Sequence, residues 1–281
     1  MIEQLAGKRV FVTGATGFIG GHVSRRLHAE GAHVLALERT PGKGAELARL
    51  GIEIVRGDIT DRARMEEILG QDVQIVMHIA AWLRGRSRHE AGRVNVSATR
   101  HLAEASARLG VERFVFTSSI VVYGCHGDED VDETAPLRLY GDPYGDTKIL
   151  AEQALREVGD RTGLPYAIVR PGMVYGPGSP GWTVRIARWA QKGQIPLIGG
   201  GQGTAHPIYI DDLVELLLLC AVHPDAAGEV FNGVGDGPVT LAEFLGGYMR
   251  MIPTDRAIRL PCWLARIAAL LADPFTPSFR L

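Results

Sequence analysis

The chain of 281 residues has only three cysteines, Cys125, Cys220 and Cys262, far apart and odd in number. They form no CxxC pair and no metal-ligand spacing, so a disulfide framework and a zinc site are both excluded as organising principles, and unpaired thiols in a reducing compartment are expected. The formal net charge is −2, which leaves no basic field of the kind that draws a protein to nucleic acid. The longest apolar run, LVELLLLCAV at 213–222, is too short to span a bilayer. The opening MIEQLAGKRVFVTG moves straight into a strand pattern without signal-peptide architecture, so a cytoplasmic protein is expected. Internal repeats and low-complexity segments are absent as well.

What remains is a steady alternation. Short β-branched and aromatic runs at 9–14, 33–37, 52–58, 73–80 and 113–119 are separated by stretches of helical apolar spacing at 18–31, 44–51, 61–70 and 93–110. Mostly apolar strands, alternating with helices, predict an α/β fold with a doubly wound parallel sheet covered on both faces. Such sheets take ligands beyond the carboxyl ends of their strands. After residue 170 the rhythm loosens into the Gly/Pro-rich loops RPGMVYGPGSPG and PLIGGGQGTAHP, with helical stretches at 182–192, 211–222 and 240–250. We therefore expect a first domain over 1–170 and a smaller lobe over 171–281, some late segments of which return to the first core.

Between the first strand and the first helix lies VTGATGFIGG, which places Gly14, Gly17 and Gly20 in a GxxGxxG pattern around Phe18 and Ile19. Glycine permits the tight turn and the close approach of a phosphate, and the following helix offers free N–H groups and the positive end of its dipole. In a βαβ context this reads as a dinucleotide pyrophosphate site. At the end of the second strand, 24 positions after Gly14, stands Glu38, followed by Arg39. An acidic residue there accepts from a ribose 2′-OH and favours NAD, whereas the arginine suits a 2′-phosphate. NAD is the expected cofactor, with NADP admitted by Arg39. Asp58, with Ile59 after the third strand, is either a neighbour of the adenine ring or a turn residue.

Hydride transfer to or from a nicotinamide requires an acid/base at the substrate oxygen. The stretch LYGDPYGDTK offers two tyrosines in a repeated YGD, Tyr140 and Tyr144. Only Tyr144 has a lysine, Lys148, four residues on, where a helix over 144–158 places an ammonium beside the phenol. The repeat itself reads as coincidence and Tyr140 as a loop residue. A serine at the end of the fifth strand, in TSS, is placed to share the proton.

These blocks, VTGATGFIG, GDITD, HIAA, VNVSATRHLAEA, FVFTSSIVVYG, PYGDTK, RPGMVYGPG and HPIYIDDL, resemble in order those of the extended short-chain dehydrogenases/reductases, the NAD-dependent epimerase/dehydratase family that also includes 3β-hydroxysteroid dehydrogenases. The resemblance runs from about residue 8 to about residue 245. It implies a Rossmann fold with a C-terminal substrate-binding lobe, Ser119 as the catalytic serine with Ser118 as runner-up, Tyr144 as base, Lys148 as its activator and a holder of the nicotinamide ribose, and Asn95 as support of the active-site region. It further implies that Ala80 and Ala81 line the cofactor, that Pro171 and Val174 lie near the nicotinamide carboxamide, and that a homodimer forms through the helices beginning near 93 and 144.

The leading expectation is an NAD-dependent epimerase/dehydratase acting on a nucleotide sugar, the alternative a ketone reductase or hydroxysteroid-type dehydrogenase on a hydrophobic substrate, and the third a cofactor-sensing regulator without catalysis. Two departures weigh against a nucleotide sugar: Ala205-His206-Pro207 stands where many sugar-nucleotide enzymes of the family open the block with arginine, and the loop after 170 has no clear phosphate-gripping asparagine. The final PCWLARIAALLADPFTPSFRL resembles no part of the usual closing lobe. Elsewhere, the arginines of RGRSRHEAGR at 84–93 read as a solvated loop or an anion attractor, DEDVDET at 128–134 as a solvated loop, His78 as a packing residue, and Trp82 and Trp182 as core or pocket.

Overall fold

The structure is a computed structural model that describes residues 1–83, 87–124, 131–252 and 257–264. Cys125, the start of the acidic stretch at 128–134, the first arginines of the 84–93 stretch and most of the C-terminal apolar segment lie outside the described residues. The chain divides into two compact units, one of Met1–Pro171 with Asp211–Gly233 and one of Gly172–Ile210 with Val234–Leu281.

The first unit carries β1 (Arg9–Thr13), α1 (Phe18–Ala29), β2 (His33–Glu38), α2 (Ala45–Arg49), β3 (Glu53–Arg56), α3 (Arg62–Leu69), β4 (Ile75–His78), α4 (Arg88–Ala91), α5 (Ala98–Arg108), β5 (Arg113–Thr117), α6 (Pro143–Thr162) and β6 (Tyr166–Pro171). The second contributes β7 (Met173–Tyr175), α7 (Arg185–Gln191), β8 (Ile195–Ile198), β9 (Thr204–Ala205) and β10 (Pro207–Tyr209) before the chain returns to the first unit through α8 (Ile210–Val222) and β11 (Val230–Gly233). It closes with β12 (Val239–Thr240), α9 (Leu241–Met251) and β13 (Ala257–Leu260) in the second unit.

Seven parallel strands form the central sheet in the order β11-β6-β5-β4-β1-β2-β3. The expected doubly wound parallel sheet is thus observed. Helices cover its apolar strands: Phe11, Val76, Phe114, Phe116 and Ile168 of the sheet pack in one cluster with Met65 and Ile68 of α3, Leu102 of α5 and Leu155 of α6. The strand order reverses between β1 and β4, and the crevice beyond their carboxyl ends is the place such a sheet offers a ligand.

Local chemistry sets the helix ends that matter. Asp142 caps α6 by accepting from Gly145 N–H at 2.6 Å, Pro143 occupies the first turn, and Gly163 ends the helix at φ 74°. The long helix expected over 93–110 is not uniform: Gly92–Ser97, which holds Asn95, is wound as a π-helix before α5 begins. The second unit has its own core, in which Ile186 and Ala190 of α7 meet Ile195 of β8 and Leu245 and Tyr248 of α9. No helix among the described residues is long and apolar enough to cross a membrane.

Candidate active site

The glycine turn follows β1. Gly14 has φ 70°, and a Cβ there would stand 2.8 Å from Ala80 N, so only glycine lets the turn rest against the segment after β4. Gly17 donates to Gly14 O at 2.9 Å, and a Cβ on Gly20 would run into the same carbonyl group. Gly17 is the N-cap of α1 and provides no side-chain cap, while Phe18 and Ile19, both half-buried, open the helix. A cradle closed to side chains, facing an uncapped helix N-terminus at the switch point of the sheet, fits a dinucleotide pyrophosphate.

At the end of β2, Glu38 is buried and its Oε1 accepts from Gly44 N–H at 2.8 Å, while Oε2 stands 3.6 Å from Arg56 Nε. The carboxylate therefore also pins the loop that follows β2. Arg39 is exposed. Burial works to raise the Asp58 carboxyl, but hydrogen bonds from Thr60 N–H (2.9 Å) and Oγ1 (2.7 Å), with Arg39 and Arg93 nearby, hold it below its ordinary value. The carboxylate is thus held in the turn that follows β3, and Ile59 packs against the core.

Ser119 follows β5, accepts from Val121 N–H at 3.3 Å and hydrogen-bonds the Tyr144 phenol in the first turn of α6. Ser118 is buried and its hydroxyl has no partner among the described residues. Burial pushes the Tyr144 phenol up to about 12, opposed by the Ser119 hydrogen bond and reinforced by Asp142. Lys148 is buried one helical turn on. Its ammonium does not reach for the phenol: Nζ donates to Thr117 O at 2.7 Å and stands 4.5 Å from the centre of the Phe116 ring. Burial brings it down to about 7, with Glu152 opposing that shift. The phenol thus has its direct partner in Ser119, and the lysine is held alongside by the strand end that carries the serine.

Asn95 acts differently from those three. Its Oδ1 accepts from Trp82 N–H at 2.7 Å, and its Nδ2 donates to Trp82 O at 3.2 Å and to Thr147 Oγ1 at 2.9 Å. Its hydrogen bonds fasten the segment after β4 to α6 rather than going to Ser119, Tyr144 or Lys148. Ala80 N–H donates to Thr13 Oγ1 at 3.1 Å, and Ala81, half-buried, continues toward Trp82. Pro171 is buried at the end of β6, whereas Val174 lies in the second unit, buried on β7 and paired with Ile208 of β10.

The repeated YGD has a structural use. Asp142 of the first copy caps α6, and Asp146 of the second reaches back to Tyr140 N–H at 2.8 Å and to Gly141 N–H at 3.1 Å. Tyr140 Oη donates to Val121 O at 2.9 Å, so the first tyrosine braces the turn that follows Ser119.

A family model described as the NAD dependent epimerase/dehydratase family matches residues 10–233. The chain belongs to that family. A 2-alkyl-3-oxoalkanoate reductase of Stenotrophomonas maltophilia is 30% identical over 261 residues, covering 88% of this chain and 77% of the relative. A 3 beta-hydroxysteroid dehydrogenase/Delta 5→4-isomerase of Mycobacterium tuberculosis is 30% identical over 251 residues, covering 84% of this chain and 67% of the relative. Among solved structures, the UDP-glucose 4-epimerase of Thermus thermophilus in complex with NAD superposes with a TM-score of 0.78 at 25% identity, covering 97% of this chain and 95% of that one. The chain spans 66% to 70% of the length of several other curated relatives.

The structure also singles out residues that the sequence motifs do not point to. Thr13 and Thr99 form a buried hydrogen-bonded row with His78, the expected packing residue, and Arg170 of β6 holds Glu152 of α6 in a buried ion pair. Glu152 had a signal, since it stands four residues beyond Lys148 on the same helix face; Arg170 and Thr13 had none, because their partners lie on other elements. Ala205, where many of the family's sugar-nucleotide enzymes have arginine, is a buried residue of β9 paired with Val239, and His206 beside it is exposed with its carbonyl accepting from Met173 N–H at 2.7 Å.

Proposed function

We propose that the chain is an NAD-dependent dehydrogenase or reductase that interconverts a secondary alcohol and a ketone on an apolar substrate. The observation that carries the reading is the Ser119–Tyr144 hydrogen bond with Lys148 one turn on, at the end of β5, in the same parallel sheet whose β1 leads into the glycine turn. In the oxidative direction Tyr144, as the phenolate, takes the proton of the substrate hydroxyl and becomes the phenol, and Ser119 shares the hydrogen bond to that oxygen. A dinucleotide bound there would supply the acceptor or donor of the hydride at the carbinol carbon. Lys148, held by Thr117, places a positive charge on the face of α6 that bears the phenol and favours the phenolate against the effect of burial. Gly14, Gly17 and Gly20 with Phe18 and Ile19 would receive the pyrophosphate, and Glu38, Arg39, Asp58 and Ile59 the adenosine end. Ala80, Ala81 and Pro171 would line the nicotinamide side, and Val174 belongs to the same set. Asn95 serves by positioning. The division at 170/171 into a dinucleotide domain and a substrate lobe, and a homodimer through the helices beginning near 93 and 144, belong to this reading.

An apolar substrate is favoured by the buried Ala205, which leaves no guanidinium at that place for a nucleotide phosphate, and by the two relatives at 30% identity, a reductase and a hydroxysteroid dehydrogenase. The nucleotide-sugar reading is favoured by the epimerase likeness. The two separate cleanly. A dehydrogenase or reductase changes free NADH with a ketone or alcohol panel, whereas an epimerase binds a UDP- or dTDP-sugar and turns over without net cofactor change. Tyr144→Phe is expected to keep cofactor binding and to lose turnover by about 10²–10⁴-fold. Unchanged turnover would remove Tyr144 from the chemistry, and cofactor binding without turnover on any substrate would favour a regulator.

A further inference from the structure

Tyr144, Lys148 and Glu152 follow one another at four-residue steps along α6, so they share one face of the helix. Glu152 is met there by Arg170 of β6 in a two-pronged ion pair, Nε to Oε1 at 3.0 Å and Nη2 to Oε2 at 2.7 Å, both side chains almost fully buried. The remaining Nη1 of Arg170 donates to Tyr123 Oη at 2.7 Å and to Glu133 O at 3.2 Å, and the guanidinium lies over the Tyr123 ring at 4.9 Å. Tyr123 Oη donates onward to Asn232 Oδ1 at 2.7 Å, and Asn232 N–H donates to Glu133 Oε1 at 2.7 Å. Tyr123 closes the short turn that begins at Ser119.

We propose that Glu152, clamped by Arg170, is a positioning residue of the reaction, its carboxylate keeping Lys148 an ammonium while the guanidinium ties the tyrosine helix to the serine turn through Tyr123. The inference rests on the assignment of Tyr144 and Lys148 made above.

A buried ammonium must be compensated or it sheds its proton. Among the described residues, the groups facing Lys148 leave one source of compensating charge. On β5 there are Thr117 O, which takes one hydrogen, and the Phe116 ring. On β4 there is His78, buried and held neutral, its pKa brought down to about 3 by burial and by Lys148 itself. On α6 there are the neutral phenol of Tyr144 and the carboxylate of Glu152, which opposes the effect of burial on Lys148. Arg170 is spent on Glu152. A buried pair is weak as a source of stability, since well-packed apolar residues serve as well, so its place on the lysine's face of the helix calls for the electrostatic reading.

The test uses the full chain. Lysine Cε resonances of 13C-labelled protein without cofactor, with Lys148 identified through Lys148→Met, report the Lys148 titration directly. Turnover against pH is measured in parallel. Glu152→Gln is expected to lower the Lys148 midpoint by about one pH unit and to move the alkaline loss of turnover down in pH by the same amount, and Glu152→Asp to restore both. Because Glu152→Gln strands a buried guanidinium, which itself disfavours the ammonium, Glu152→Gln/Arg170→Gln is measured beside it and should show a smaller displacement in the same direction. A uniform drop in turnover at every pH, with the Lys148 titration unmoved in both variants, would make the pair a packing device only and overturn the proposal. If Tyr144→Phe retains turnover while Glu152→Gln still displaces the Lys148 titration, the functional reading fails and the electrostatic link stands.

Discussion

Thr13 and His78 hydrogen-bond through Oγ1 and Nδ1 at 2.8 Å, and the direction of that bond is decided on the far side of the ring. Thr99 Oγ1 gives its proton to Asn95 O at 2.6 Å, so it accepts from His78 Nε2–H at 2.9 Å. Nδ1 is therefore the acceptor, Thr13 donates to it, and the Thr13 oxygen receives the N–H groups of Ile79 and Ala80 at 3.1 Å each. A neutral histidine orients a row running from the end of β1, under the glycine turn, to the π-wound segment that carries Asn95.

The row has a pH consequence. His78 titrates near 3 in the fold because burial disfavours its charge, and Lys148 adds to this, against 6.5 for a free imidazole. Its contribution to stability is fully present above pH 6.5 and is lost as pH falls toward 3, at a slope approaching roughly 1.4 kcal/mol per pH unit. Thermal melts of wild type and His78→Gln between pH 7 and 4 should converge as pH falls. Parallel melting curves would show that His78 carries no part of the acid lability.

Lys148→Met separates stability from chemistry. Removing the ammonium relieves the cost of burying a charge and leaves a single carbonyl, Thr117 O, without its donor. The melting temperature is expected to hold or rise while turnover falls by orders of magnitude. A collapse in stability would assign the lysine to the fold instead.

Gly20→Ala tests the cradle. The added Cβ meets the carbonyl group of Gly14, a backbone obstacle that no rotamer change removes. A cost of about 1–3 kcal/mol in stability is expected, together with a loss of NAD affinity of about tenfold or more. Calorimetric titration with NAD reads the second effect, and wild-type affinity in the variant would place the pyrophosphate elsewhere.

The two tyrosines of the repeated YGD should answer oppositely. Tyr140→Phe removes one hydrogen bond to Val121 O, at a cost of about 0.5–1.5 kcal/mol, and should leave turnover within a few-fold of wild type. Side-by-side assays with Tyr144→Phe decide it, since equal losses would mean that Tyr140 also works at the substrate.

Much was written locally. The alternation of apolar strands and helices, the GxxGxxG turn and the Tyr144–Lys148 spacing all depend on residues within a turn or two of one another, and periodicity and spacing carry that information. Tertiary structure decided what depends on partners from other elements. It set Ser119 rather than Ser118 on Tyr144, because neighbouring residues leaving a strand face opposite ways. It turned the Lys148 ammonium onto Thr117 O, drew Glu38 onto Gly44 N–H, and paired Glu152 with Arg170, 18 positions away in sequence. Each of those contacts follows from the packing of α6 against the register of the parallel sheet, or from the path of a loop past a strand end. Each polar group settled where burial demanded a partner, and the identity of that partner is a fact of three dimensions.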